Sequence, residues 1–231
     1  MGHNRAKHVK HMKLTRLLTV ALWCVIATGQ ATAMAQCKPP SLTVTSKYTQ
    51  PWIDYTDIRT LNPQSSSKST EIRMGETVSL LNTKIDYKKM FNRSQGCFSI
   101  DGEVQLEMKS HDINIAKELR PLPCLLKEVY DHEQRHALLN EEMLKTLEQQ
   151  VQNRVNEVIA AGTGYTPRQL GLYLESWLQD GLSKDVTILW SRQNERQKEL
   201  DTPQEYRRIS AACPAETQAL AIELKKIDYA K

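Results

Sequence analysis

The sequence predicts an α+β fold: a small, mostly antiparallel sheet followed by long α-helices, in one domain over residues 36–231. Three observations carry this. Apolar and polar residues alternate up to about residue 120, the period of half-buried strands. From Leu125 the apolar residues recur at steps of three and four, the period of an amphipathic helix. Pro121 and Pro123 stand at the change, so 36–120 is expected to be mainly β and 121–231 mainly α.

The elements follow in order. Ser41–Tyr48 alternates and reads as a first strand. Pro51–Ser69 is rich in Pro, Ser, Asn and Thr and reads as a long loop around Trp52 and Ile53. Thr77–Leu81 is a second strand, continuing toward Ile85 and Tyr87. Cys97–Ile100 with Gly102–Met108 is a third, and Ile113–Ala116 a fourth. The short polar connection Lys109–Asp112 makes the last two a hairpin. Val129, His132, His136, Leu139, Met143, Leu147, Val151, Val155 and Val158 then mark one helix up to Gly162. Its roughly 36 residues span about 54 Å. Gly162–Gly164 breaks it, and Thr166-Pro167 starts the next, with a Thr cap and Pro in the first turn. That helix runs through Leu174 and Trp177 to Trp190, with Gly181 as a kink point. Asp201-Thr202-Pro203 starts a third helix ending near Cys213-Pro214, and Ala215–Ile227 forms the last. The charged run Arg192–Glu199 reads as a solvated helix face.

The formal net charge of +4 suggests an anionic partner, but the charge is unevenly placed. Residues 1–35 hold Arg5, Lys7, Lys10, Lys13 and Arg16 and no acid. Without those five, 26 bases face 27 acids, a net of −1. The basic stretch is followed by an apolar segment, Leu17–Gly29, and by Ala31-Thr32-Ala33-Met34-Ala35. This is the pattern of a Sec signal peptide over residues 1–35, cleaved after Ala33 or Ala35. The apolar segment is well short of the roughly 20 residues of a membrane span. Met1 and Met12 are both plausible starts. The protein is therefore expected to be secreted or periplasmic, with no membrane anchor in its mature form. The basic excess goes with the signal, which removes the support for nucleic acid or anionic lipid as partner.

Export implies an oxidising compartment. Cys24 falls in the signal, leaving Cys37, Cys97, Cys124 and Cys213, an even number that suggests two disulfides with three possible pairings. The expected hairpin puts Cys97 and Cys124 at the same open end. That favours Cys97–Cys124 and, by elimination, Cys37–Cys213.

His132-Glu133-Gln134-Arg135-His136 is an H-E-x-x-H motif inside the long helix. Residues four apart on a helix lie one turn apart on nearly the same face, so both imidazoles can bind one Zn²⁺. Glu133, beside the first His, can move a proton as general base and then acid without being a ligand. The implied reaction is zinc-assisted hydrolysis of a peptide bond. Residues 36–231 contain only three His, and two of them form the motif. Arg135 departs from the uncharged residue usual at that position.

A catalytic zinc needs a third protein ligand. The metzincin continuation would require Gly and His where Leu139 and Glu142 stand, so the helix should run on. A carboxylate from a second helix suits better. Glu175 ranks first, ahead of Asp201, His111 and Glu142, although an N-cap role explains Asp201 equally well. Tyr130, Tyr173 and Tyr206 are candidates to stabilise an oxyanion, and core packing is the commoner use of such residues.

The segment from Cys124 through His132-Glu133-Gln134-Arg135-His136 to Asn140 resembles a bacterial family of predicted secreted zinc-dependent proteases. Gln197–Tyr206 is similar to a downstream stretch of the same group. The resemblance spans about residues 97–213. It implies a zincin-like active-site helix, His132 and His136 as zinc ligands, and Glu133 as catalytic acid/base. The function expected is thus an exported zinc metalloprotease acting on a peptide or protein substrate. The rival expectation is a non-catalytic exported helical interaction protein with an incidental H-E-x-x-H.

Overall fold

The computed structural model describes residues 38–63, 72–92 and 96–229. The expected signal peptide, and Cys37 with it, lie outside the described residues. The strands are β1 (Ser41–Lys47), β2 (Trp52–Thr56), β3 (Gly75–Asn92) and β4 (Cys97–Ala116). A short α1 (Ile58–Leu61) separates β2 from β3. The helices that follow are α2 (Pro123–Ala161), α3 (Pro167–Ser176), α4 (Leu182–Asn194), α5 (Pro203–Ala212) and α6 (Pro214–Tyr229). A π-helical turn, Trp177–Gly181, joins α3 to α4. Among the described residues no helix is long and apolar enough to cross a membrane.

The sheet is not mostly antiparallel. β1 and β2 both pair parallel with β4, against its residues 101–107 and 112–116. Only β3 pairs antiparallel, along the length of β4. The reason lies in β4, where the sequence suggests a hairpin turn at Lys109–Asp112. The chain there stays extended. Leu80 pairs with Ser110 and Leu81 with Met108, so Lys109 is an extra residue in the ladder. This bulge changes which parity faces the core. Val104, Leu106 and Met108 are buried before it, and His111, Ile113 and Ile115 after it. The polar stretch is therefore a register correction, not a turn. The hairpin lies one connection earlier, between β3 and β4, where Gly96 takes φ 63°. β2 and α1 also occupy what reads in sequence as loop between Pro51 and Ser69, with Ile58 and Leu61 buried.

α2 packs along this sheet. It is 39 residues long, about 58 Å, and its apolar positions serve two separate clusters. Leu144, Leu147, Val151, Val155 and Val158 meet Leu42, Val44, Val104, Leu106 and Met108, with Leu174, Trp177 and Leu178 covering them. Leu125, Val129 and Ala137 meet Ile113, Ile115 and Leu119, with Ile209 and Leu220 from α5 and α6. Between the clusters the buried side of α2 is polar: His132, Glu133, His136 and Asn140 are at most 7% exposed.

The helices begin where their caps dictate. Thr166 caps α3 in a capping box with Gln169. Thr202 caps α5 by accepting from the Glu205 amide. At the expected kink, Gly181 lets the Trp177 ring lie against the backbone, since a Cβ there would be 2.4 Å from Trp177 Cδ1.

The disulfide expectation is corrected with the hairpin that suggested it. Cys124 bonds Cys213, not Cys97, so Cys213 is not the partner of Cys37 either. Cys97, at the start of the 20-residue β4, is also oxidised. The Cys124–Cys213 bond joins the start of α2 to the α5–α6 corner. There Glu216 of α6 accepts from the Leu125 amide at 2.8 Å, satisfying one of the free donors of a helix whose own N-cap, Leu122, has no side-chain acceptor. The bond spans 89 residues, and closing so long a loop is worth about 2–4 kcal/mol. The double variant Cys124→Ser/Cys213→Ser should lower unfolding stability by that amount in urea titrations. An unchanged midpoint would mean that packing alone fixes this corner.

Candidate metal centre

His132 and His136 project from one face of α2, and both meet Asp201, which lies just before the cap of α5. Because Thr202 takes the N-cap role, Asp201 is left to turn toward α2. Asp201 Oδ1 is 3.2 Å from His132 Nε2 and 3.1 Å from His136 Nε2. The two Nε2 atoms are 3.1 Å apart. The three atoms form a nearly equilateral triangle. Ligand atoms of a tetrahedral zinc with bonds of 2.0–2.1 Å lie roughly 3.3 Å apart, so the triangle has the dimensions of one face of such a site. The group can hold a metal ion. Asp201 is 44% exposed and the histidines are buried, so the open side faces solvent through a cleft of about 260 Å³.

The other candidates for third ligand lie elsewhere. Glu175 is ion-paired with Lys89, and Glu142 with Arg196 at 2.9 Å. His111 is buried on β4 rather than exposed in a turn, and its Nε2 is held by Asn140 at 3.3 Å. Asp201 alone of the four joins the histidines.

Glu133 lines the same cleft. Thr77 of β3 donates its hydroxyl to Glu133 Oε2 at 2.7 Å and lies 3.1 Å from the Glu133 carbonyl oxygen. Burial pushes the Glu133 carboxyl above the usual range, against the lowering effects of Thr77 and the two histidines. For Asp201, burial acts upward but is outweighed by hydrogen bonds with His132, His136 and Tyr206, and its carboxyl is held well below the usual range. Burial opposes a charged His136, yet Asp201 and Gln197 together hold its pKa above the ordinary value. Two carboxylates with opposite shifts therefore stand at one site. One is suited to exchange a proton and the other to stay ionised against a cation.

Further residues complete the setting. Tyr206 donates to Asp201 Oδ1 at 3.1 Å and, of the three tyrosines considered, is the one on the cleft. Burial and the Asp201 charge push its hydroxyl up to about 12, so it remains a donor. Gln134 bonds Tyr130 at 3.0 Å, and Tyr173 of α3 stacks edge-on with Tyr165, which precedes that helix. Arg135 is ion-paired with Glu205, whose carboxylate Arg208 and Arg135 lower to about 2. Glu205 Oε1 lies 3.5 Å from His132 Nδ1. Gln197, from the run that reads as a solvated face, is a site residue: its Oε1 is 2.6 Å from His136 Nδ1. The signal that was available for it is spacing, since Gln197, Asp201 and Glu205 follow one another at steps of four.

No protein-family model, curated protein or solved structure matches the chain. The resemblance drawn from Cys124–Asn140 and Gln197–Tyr206 rests on those residues alone.

One position tests how tightly Glu133 is held. A Cβ at Gly75 would lie 2.7 Å from Glu133 Oε1, 2.8 Å from its Cγ and 2.9 Å from Val129 Cγ1. Gly75→Ala should therefore cost about 1–3 kcal/mol of stability. In the double variant with Glu133→Ala, the second change should relieve part of that cost. Strict additivity of the two in a double-mutant cycle would show that Gly75 and Glu133 do not meet.

Proposed function

We propose that this protein is a zinc-dependent hydrolase of peptide bonds, exported from the cytoplasm. The observation that carries the reading is the triangle of His132 Nε2, His136 Nε2 and Asp201 Oδ1, open on one side, with the buried carboxyl of Glu133 on the same cleft. The donor set of two imidazoles and a carboxylate suits Zn²⁺, and three ligands with an open position suit a catalytic rather than a closed structural site. A zinc ion held there supplies Lewis-acid polarisation of a carbonyl and acidifies water at neutral pH.

The chain's own residues do the rest. Glu133, with its raised pKa, takes a proton from the attacking water and returns it to the leaving amine. Thr77 fixes which carboxyl oxygen is turned toward the cleft by occupying Oε2. Tyr206, a donor at the rim of the cleft, holds Asp201 through its hydroxyl. The first residues of β3 line the cleft, and among the described residues its outer edge has no strand partner. An extended peptide can pair there by strand addition.

Three features favour a non-catalytic helical protein: Arg135, the missing metzincin glycine and a third ligand that the sequence leaves unidentified. Arg135 is engaged by Glu205. The metzincin glycine is unnecessary when the third donor comes from Asp201, on a separate segment.

The purified protein should contain one zinc per chain by elemental analysis, and Asp201→Ala should lose it. Glu133→Ala should keep the metal and lower hydrolysis of an unfolded protein substrate by about 10²–10⁴-fold. Equal activity of parent and Glu133→Ala would refute the assigned chemistry. A metal-free parent after zinc supplementation would refute the centre itself.

A further inference from the structure

Behind the triangle a line of buried polar groups runs from α2 to the sheet, and the donor and acceptor at each link are fixed by the one before it. It starts at the Thr49 carbonyl, in the β1–β2 connection, which can only accept. His111 Nδ1 lies 3.1 Å from it and so carries the proton. Burial lowers the His111 pKa and so favours the neutral ring, in which a proton on Nδ1 leaves Nε2 as the acceptor. The Asn140 amide nitrogen must then be the group 3.3 Å from His111 Nε2. This turns Asn140 Oδ1 to the Gln197 amide nitrogen, at 2.7 Å. Gln197 Oε1 is thereby left facing His136 Nδ1 at 2.6 Å, and a carbonyl oxygen there requires Nδ1–H. His136 Nε2 faces Asp201 Oδ1 and His132 Nε2, each at 3.1 Å, and is the nitrogen that a metal ion would take. His111 and Asn140 are almost fully buried, so water cannot supply an alternative partner at these links.

We propose that His111, Asn140 and Gln197 are positioning residues that fix the tautomer and ring orientation of His136 for metal binding, with the polarity of the whole line set by the Thr49 carbonyl. The inference rests on the proposed metal site for its use, but the line of hydrogen bonds exists without the ion. Metal-ligating histidines generally donate their second ring N–H to such a partner. Here the partner's own direction is determined three links further back, by a backbone carbonyl in the β1–β2 connection that touches no ligand.

The test separates the two readings. Long-range ¹H–¹⁵N NMR of the metal-free protein should show a proton on Nδ1 of both His111 and His136. His111→Phe removes the acceptor for Asn140 and should bring in the Nε2–H form of His136. Zinc affinity, read by competition with a chromogenic chelator, should fall about tenfold. His111→Gln, which can place a carbonyl oxygen near the former Nε2, should keep both readouts close to the parent. If His111→Phe does not fold, Gln197→Met removes both amide links at the exposed end and should give the same two changes. The proposal is overturned if His136 of the parent is the Nε2–H tautomer, or if the folded variant leaves tautomer and affinity unchanged. If the parent shows the Nδ1–H tautomer, the variants shift it, and no form binds zinc, the hydrogen-bonded line stands while the metal reading fails.

Discussion

The structure depends on one constraint: α2 must bury four hydrogen-bonding side chains in the middle of its packed face. Leaving such groups without partners costs about 1–3 kcal/mol each, a large fraction of ordinary domain stability. Every one of the four is met. His132 and His136 meet Asp201, Glu133 meets Thr77, and Asn140 meets His111 and Gln197. The partners come from three directions: β3, β4 and the segment around α5. The two apolar clusters lie on either side of this seam. The sheet and the late helices are thus held in one arrangement by polar demands as well as by apolar area.

The seam also explains the chain's return path. Gln197, Asp201 and Glu205 lie 57–70 residues beyond His132, Arg135, His136 and Asn140, the helix groups they meet. Ordering so distant a segment costs conformational entropy that a few exposed hydrogen bonds would not offset. The Cys124–Cys213 bond and the Glu216 cap anchor the segment just beyond α5 to the first turn of α2. Ile209, within α5, adds apolar contact ahead of these anchors. The carboxylate of Asp201 therefore sits on a short tether, fixed at one end by covalent chemistry and at the other by the relay to His136.

Much of the α half was legible, because helix period, Pro and Gly punctuation and Thr caps are local signals. The H-E-x-x-H face was legible for the same reason. The sheet was less so. Its pairing depends on the bulge at Lys109, and a single inserted residue leaves a polar stretch that looks like a turn while the strand continues. The disulfide error followed directly, since it was inferred from that turn. The third candidate ligand was visible but undecidable in sequence. Asp201 and Thr202 are both good caps, and only the backbone geometry assigns the cap to Thr202 and releases Asp201. Gln197 was hidden by its charged neighbours, whose exposure is real while its own side chain turns inward.

The long uninterrupted α2 has a consequence for how such a centre can be built. Where a turn after the second His brings the third donor from the same chain segment, helix and ligand set are one local unit. Here the helix continues for 25 residues past His136, and those residues carry all of the helix's buried contribution to the first apolar cluster. The donor triangle must then be closed by tertiary structure. Arg135 fits that logic. On a helix ending in a ligand turn it would be an exposed charge of little effect. On this one it engages Glu205, one turn beyond Asp201, and thereby draws the start of α5 against the histidines. The residue that departs from the usual motif is the one that helps bring in the carboxylate the motif lacks.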